Sequence, residues 1–318
     1  MDDRGRDDLV VVVGSINVDL LLTVGRHPRP GETLLGGGGT QSAGGKGANQ
    51  AVAAALRGTP TAMVGAVGDD AGADVALAQL RRAGVDLADV ATVPGPTGLA
   101  VVTLDDGGEN TIVVVSGANE KVGGEVLDGA AAVLRRARVC VLQGEIPTAS
   151  IVAAASTAHA AGARVVLNAA PALELPAATL AVADPLVVNE HEARLVLGWA
   201  GAEVPACPSA PDAEDPDDGG LVLARGLRSL GVPSVVVTLG AAGAVGVEPD
   251  HEWSVAGLRV PVRDTTGAGD AFVGALAASL ARGSSLHDAA RDATRVAAYS
   301  VQRLGAQDSY PDQEAELP

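Results

Sequence analysis

From residue 9 onward two apolar patterns alternate. One is a short β-branched run closed by a glycine or a polar residue: LVVVVG at 9–14, TAMVGAVG at 61–68, RVCVLQ at 138–143, RVVLN at 164–168, PLVVN at 185–189 and SVVVTLG at 234–240. Apolar on successive positions, these runs predict strands buried on both faces of a parallel sheet. The other pattern is Ala-rich with helical spacing, at 47–57, 71–83, 148–161 and 221–230. Strand and helix in alternation predict βαβ units. The expected fold is therefore α/β, a doubly wound, mostly parallel sheet flanked by helices, with ligands at the carboxyl ends of the strands.

Two segments break the rhythm. NVDLLLTV (17–24) with ETLLGGG (32–38), and TGLAVVTLDDGGENTIVVV (97–115), read as extended pieces, the second turning at Asp106-Gly107-Gly108. They predict a small β-sheet lid, discontinuous in sequence (about 17–42 and 97–115), on a single domain spanning 1–318, with Gly36 to Gly39 as a hinge. An ordinary surface hairpin would carry the same pattern. Residues 199–220, WAGAEVPACPSAPDAEDPDDGG, lack periodicity and predict a solvated surface insertion.

Composition narrows the function. The 318 residues are 47% hydrophobic and 2% aromatic, as in a globular chain with a core of small side chains. A formal charge of −17 argues against a nucleic-acid or anionic-membrane surface, though a local nest of N–H groups can still bind a small anion. The acidic start MDDRGRDD is unlike a secretory signal, and no uncharged apolar run is long enough to span a bilayer, so a cytoplasmic protein is expected. Cys140 and Cys207 lie far apart and form no C-x-x-C motif; Cys140, inside VCVL, reads as a core thiol.

The stretch GGGGTQSAGGKGANQA (36–51) invites comparison with the phosphate-binding P-loop. Thr40 stands where that motif needs its first glycine, and Lys46 is followed by Gly47 instead of Ser or Thr. The better anion site lies in VRDTTGAGDAFVGALAASLARG (262–283), where Gly267, Ala268 and Gly269 precede apolar residues at helical spacing. Glycines opening a helix leave free N–H groups at the positive end of its dipole. Asp270 is then either a helix cap or, beside a transferring phosphoryl group, an acceptor for the proton of an attacking hydroxyl.

At these residues the chain resembles the ribokinase/phosphofructokinase-B family of sugar kinases. DTTGAGDAFVGALA fits that family's C-terminal signature and SAGGKGANQAVAAA its N-terminal one, and the likeness runs from GSINVD (14–19) to GAQDSYP (305–311). Together GSINVD, GGKGANQA, ENTIVVVSGAN, NAAPALELP, VVNEHEA and GAQ are most similar to its ribose kinases. The resemblance implies a ribokinase-like fold and ATP-dependent phosphorylation of a primary sugar hydroxyl. It implies Asn17, Asp19, Gly45, Lys46, Asn49 and Glu145 as sugar contacts, Gly267, Ala268 and Gly269 as an anion hole, and Asp270 as catalytic base and sugar contact. For ATP it implies Asn189 and Glu192, a phosphate and magnesium-water pair that could equally be a helix cap, with Thr238 and Gly240 beside the nucleotide. A potassium ion would be held by Asp264, the carbonyls of Thr266, Ser300, Arg303 and Gly305, and the Ser309 hydroxyl. At Thr294-Arg295, on the adenine side, the chain departs from the family's pattern. A homodimer joined through the lid is implied as well.

Deoxyribose, fructose or a nucleoside remains open as substrate. A nucleoside base calls for an aromatic face, and the one Phe, two Trp and two Tyr lie outside the lid and the expected sugar segments, which favours a free sugar. A dinucleotide-binding dehydrogenase would need G-x-G-x-x-G after its first strand, whereas Gly14 is followed by Ser15-Ile16-Asn17. A non-catalytic sugar-binding protein would not need Asp270 beside an anion turn.

Overall fold

The structure, a computed structural model, describes residues 8–204 and 216–318. Residues 1–7 of the acidic leader, residues 205–215 of the expected insertion and, with them, Cys207 lie outside it.

Each predicted buried run is a strand: β1 (Val10–Val13), β4 (Thr61–Gly68), β8 (Val139–Leu142), β9 (Arg164–Asn168), β10 (Ala183–Asn189) and β11 (Val235–Thr238). Short strands β5 (Val90–Val93), β12 (Gly243–Val247) and β13 (Glu252–Ala256) complete a nine-stranded sheet of order β13-β12-β11-β10-β9-β8-β1-β4-β5. All its pairs from β5 to β11 are parallel; the β11–β12 and β12–β13 pairs are antiparallel, so β12 alone runs against the others. β12 and β13 lie outside the predicted runs because glycine and polar residues interrupt their apolar pattern.

Helices α1 (Lys46–Leu56), α2 (Gly72–Arg82), α9 (Ala268–Ala281) and α10 (Leu286–Ser300) cover one face. Helices α3 (Gly124–Gly129), α4 (Ala131–Arg136), α5 (Thr148–Ala160), α6 (Ala177–Leu180), α7 (Glu190–Trp199) and α8 (Pro216–Ser229) cover the other. β1 shows the division within one run: Val10 and Val12 join the first core, Val11 and Val13 the second, as a two-residue side-chain period requires. Residues 216–220, at the end of the expected insertion, instead open α8.

α9 is the most enclosed helix, buried at every position from Asp270 to Ala281. It is all small and apolar side chains apart from Asp270 and Ser279, and Gly274 is its point of closest approach to α1. A Cβ at 274 would run into the Gln50 carbonyl oxygen and the Ala53 Cβ. That closeness carries the start of α1 up to the start of α9.

β2 (Asn17–Val24), β3 (Gly37–Gly44), β6 (Gly98–Asp105) and β7 (Asn110–Val115) form a separate sheet of order β3-β2-β6-β7. The expected hairpin at 97–115 is present, but the second extended piece runs 37–44 and not 32–38. Gly36 to Gly39 therefore do not form the hinge expected of them. The register runs from Asn17 opposite Gly44 to Thr23 opposite Gly37, so these glycines sit at the tip farthest from the main sheet. Gly38 and Gly39 take φ of +83° and +81° at an irregularity in the pairing between Leu21 and Leu22, a conformation that glycine adopts without strain. The chain enters α1 instead through Gly44 and Gly45.

Candidate active site

The site begins where β1 ends. Gly45 has φ of +89°, and a Cβ there would lie 2.8 Å from the Asn17 nitrogen; a Cβ at Gly47 would lie 2.6 Å from the Ser15 nitrogen. The glycines around Lys46 thus let the first turn of α1 rest on the backbone leaving β1. Glu145, just past β8, ties this junction together: its Oε2 accepts from the Ser15 hydroxyl at 2.6 Å and from the Lys46 N–H at 3.1 Å. Asn17, 2% exposed, accepts through Oδ1 from Asn119 Nδ2 at 2.7 Å.

The second half of the site is the start of α9. Gly267 is the N-cap, in the left-handed region at φ +71°, and the Tyr310 hydroxyl donates to its carbonyl at 2.9 Å. The Gly269 and Asp270 N–H groups have no protein acceptor among the described residues, as expected of a first helical turn. A Cβ at Gly269 would meet nothing within 4 Å, so this position faces open space. Asp270 is not a cap. It is the third residue of α9, 6% exposed, and accepts from Asn49 Nδ2 and Gln50 Nε2, both at 2.9 Å.

Charge is concentrated here. Asp270 first, then Glu145, Glu192 and Asp19, raise the Lys46 ammonium above the ordinary lysine range against the opposing effect of burial. Burial, then Glu145 and Asp270, push the Asp19 carboxyl up to about 6, with Lys46 pulling the other way. A Cβ on Gly44 would collide with that carboxyl, which explains a glycine at the base of β3. Burial also raises the Glu192 carboxyl, and raises the Tyr310 phenol with help from Asp270 and Asp19.

A cavity of about 150 Å³ joins the two halves to the ends of β10 and β11, lined by Lys46, Asn168, Asn189, Glu192, Thr238, Gly267, Gly269 and Asp270 among others. Asn189 and Glu192 form the helix cap that their spacing allowed. Asn189 Oδ1 accepts from the Glu192 N–H and Glu192 Oε2 from the Asn189 N–H, each at 2.8 Å, while both residues still border the cavity. The Thr238 hydroxyl donates to the Val188 carbonyl at 3.4 Å. Gly240, at the start of a short 3₁₀ turn, lies outside the lining.

Among the expected cation ligands, Asp264 joins two segments: Oδ1 accepts from the Thr266 N–H at 2.9 Å and Oδ2 from the Gly305 N–H at 2.8 Å. Burial works against its charge, but these donors and the Thr266 side chain hold the carboxyl below its ordinary value. The Ser300 carbonyl accepts from the Arg303 N–H and the Ser309 hydroxyl donates to the Ala306 carbonyl. The donor set is all oxygen, which suits a hard cation. Thr294 bonds its hydroxyl to the Ala290 carbonyl, and Arg295 binds the carbonyls of Leu317 and Pro318.

Sequence reasoning missed Gln50, Asn119, Gln143, Asn168, Gln307 and Tyr310. The available signal was a buried amide inside an otherwise apolar or Ala-rich stretch, as in ANQAVAAA and VCVLQ.

A buried carboxylate, a neighbouring ammonium and a free helix start around one cavity can bind an anion and remove a proton from a hydroxyl. Those are the two requirements of a phosphotransferase acting on an alcohol. The model of the pfkB family of carbohydrate kinases matches residues 7–313, and the chain belongs to that family. It is 36% identical to a ribokinase of Schizosaccharomyces pombe over 95% of this chain and 94% of the relative. It is 35% identical to a deoxyribokinase of Salmonella typhi over 95% of each. Among solved structures, Arabidopsis thaliana ribokinase complexed with ribose and ATP superposes with a TM-score of 0.85 at 34% identity, covering 96% of both chains. Among the described residues no helix is long and apolar enough to cross a membrane.

Proposed function

We propose that this chain is an ATP-dependent kinase that phosphorylates the 5-hydroxyl of D-ribose to give ribose 5-phosphate. The observation that carries the reading is the Asp270 carboxylate, held by Asn49 and Gln50 at the open first turn of α9, in a cavity shared with Lys46, Asn189, Glu192 and Thr238. The ribokinase names of the relatives support the choice of sugar.

In this reading Asn17, Asp19, Gly45, Lys46, Asn49 and Glu145 bind the sugar's hydroxyls, and the small sheet closes over it as a lid to exclude water. Asp270 accepts the proton of the primary hydroxyl as that oxygen attacks the γ-phosphorus and the bond to the ADP oxygen breaks. The backbone from Gly267 to Gly269 stabilises charge on the transferring phosphoryl oxygens, and Asn189, Glu192, Thr238 and Gly240 take the nucleotide side. Asn189 and Glu192, both bordering the cavity, suit a hydrated Mg2+, whose chemistry would be to neutralise phosphate charge. Asp264, Ser309 and the carbonyls of Thr266, Ser300, Arg303 and Gly305 suit K+, which would order the adjoining turn. We further read the chain as a cytoplasmic homodimer joined through the lid, where Ile112, Val113, Val114 and Val115 are about half exposed along the β7 edge.

ATP-dependent phosphorylation of ribose, deoxyribose, fructose and nucleosides, with and without potassium, tests this. Ribose should have the highest kcat/KM and potassium should raise it. Preference for deoxyribose would move the substrate to that of the Salmonella relative, and turnover of none would sink the kinase reading.

A further inference from the structure

Both oxygens of Asp270 are held by amides that are themselves held by amides. Gln143 Nε2 donates to Gln50 Oε1 at 2.8 Å, and Gln50 Nε2 donates to Asp270 Oδ1 at 2.9 Å and to Asn168 Oδ1 at 3.0 Å. On the other side Gln307 Nε2 donates to Asn49 Oδ1 at 2.8 Å, and Asn49 Nδ2 donates to Asp270 Oδ2 at 2.9 Å. Gln50 and Gln143 are fully buried, and Asn49 and Gln307 nearly so.

The direction of these bonds is informative. An amide can face a neighbour by either end, but an ionised carboxylate only accepts, so Gln50 and Asn49 must turn their N–H groups toward Asp270. Each then offers its oxygen outward, and Gln143 and Gln307 must donate in turn. The polarity ends in two acceptors with nothing left to accept from. Gln143 Oε1 and Gln307 Oε1 are the only buried side-chain oxygens without a partner among the described residues. Buried acceptors are seldom left unmatched, so a cluster serving packing alone has no reason to leave one at the far end of each chain.

We infer that Gln50 and Gln307 are positioning residues for the phosphoryl transfer: the chains Gln143–Gln50 and Gln307–Asn49 fix the two Asp270 oxygens and set which face of the Asn49 amide the sugar meets. With one lone pair of Oδ1 taken by Gln307 and one N–H given to Asp270, the second N–H is the remaining donor of Asn49 and suits a sugar oxygen that accepts. The inference rests on the kinase reading for its effect on turnover, while the amide orientation stands apart from it.

Steady-state kinetics on ribose and a side-chain amide spectrum of the full-length protein test both parts. Gln50→Leu should lower kcat ~10- to 100-fold with the sugar KM within about threefold, the size expected for a hydrogen bond to a charged group. Gln307→Leu should raise the sugar KM about three- to tenfold by releasing the Asn49 amide. Gln50→Glu should act as a conservative replacement only while its new carboxyl is protonated and can donate. Its activity should fall as pH rises through that titration, unlike that of the wild type. Asp19, Lys46, Glu145, Glu192 and Tyr310 surround the same carboxylate in both proteins, so the two profiles are compared with each other. In the ¹H–¹⁵N spectrum Asp270→Asn should shift the side-chain amide signals of both Asn49 and Gln50. A Gln50→Leu kcat within about twofold of wild type, with matching Gln50→Glu and wild-type pH profiles, would overturn the positioning role. Unmoved amide signals would overturn the network even if no sugar is turned over, an outcome that by itself counts only against the kinase reading.

Discussion

The site is built from two regions of opposite character. The seam between α1 and α9 is sealed: small side chains bring the helices together and amides hold Asp270 from both sides. The small sheet is open: most of β3 is exposed, β7 presents half-exposed valines, and two positive-φ glycines shape the tip. Yet both contribute carboxylates to the same cluster, Asp270 from the seam and Asp19 from the base of the small sheet. Groups that must be aimed to a fraction of an ångström suit a packed seam, whereas groups that must admit and release a ligand suit a surface with little holding it down. Breaking one region should therefore damage chemistry, and breaking the other should damage binding or assembly.

The largest effect is expected from Asp270→Asn, which keeps the seam's shape and removes its base. Its kcat should fall ~10²- to 10⁴-fold in single-turnover assays, while sugar affinity by calorimetry stays within about threefold. Equal losses in both would mean that the seam binds as much as it reacts. Next comes Gly274→Val. Its side chain meets the Gln50 carbonyl and Ala53, so it should cost ~1–3 kcal/mol in denaturant unfolding and lower kcat by drawing Gln50 from Asp270. Unchanged stability would show that the helices need not be so close.

Asp19 sharpens the comparison through pH. Its folded-state carboxyl sits at about 6, raised mainly by burial and then by Glu145 and Asp270, against an unfolded value of 3.8. Between those values the folded protein holds the extra proton, so this group's contribution to stability falls as pH rises from about 4 to about 6 and stays low above. Asp19→Asn should therefore stabilise the ligand-free protein by ~2 kcal/mol at pH 7.5 and by little at pH 4, while weakening sugar binding. A gain of the same size at both pH values would rule out ionisation as the cause. The smallest effect on folding is expected at Ile112→Asp on β7, within ~0.5 kcal/mol for the protomer. If the small sheet joins two copies, sedimentation should nevertheless show this variant as monomer and the parent as dimer.

Much of this arrangement was legible in the linear pattern. The six apolar runs are six strands of the main sheet, and VRDTTGAGDAFVGALA displays a glycine turn, an acid and a helix in that order. The glycines around Lys46 were legible as a cluster but not as a reason: they admit the backbone of Ser15 and Asn17. Gly36 to Gly39 were misplaced because glycine marks positive φ equally in a hinge and in a bulge. Asn189 and Glu192 carried a cap signal and a ligand signal at once, and the structure makes the cap while leaving both residues on the cavity wall.

By itself the sequence determined the strands, the helices and the turn that opens α9, because each depends on neighbours within a few positions. Only the tertiary structure decided that Gln50, 220 residues from Asp270, would bond that carboxylate, and that Gln307, 258 residues from Asn49, would turn the Asn49 amide toward it. An amide in a helix has no preferred direction until something that can only accept is packed against it.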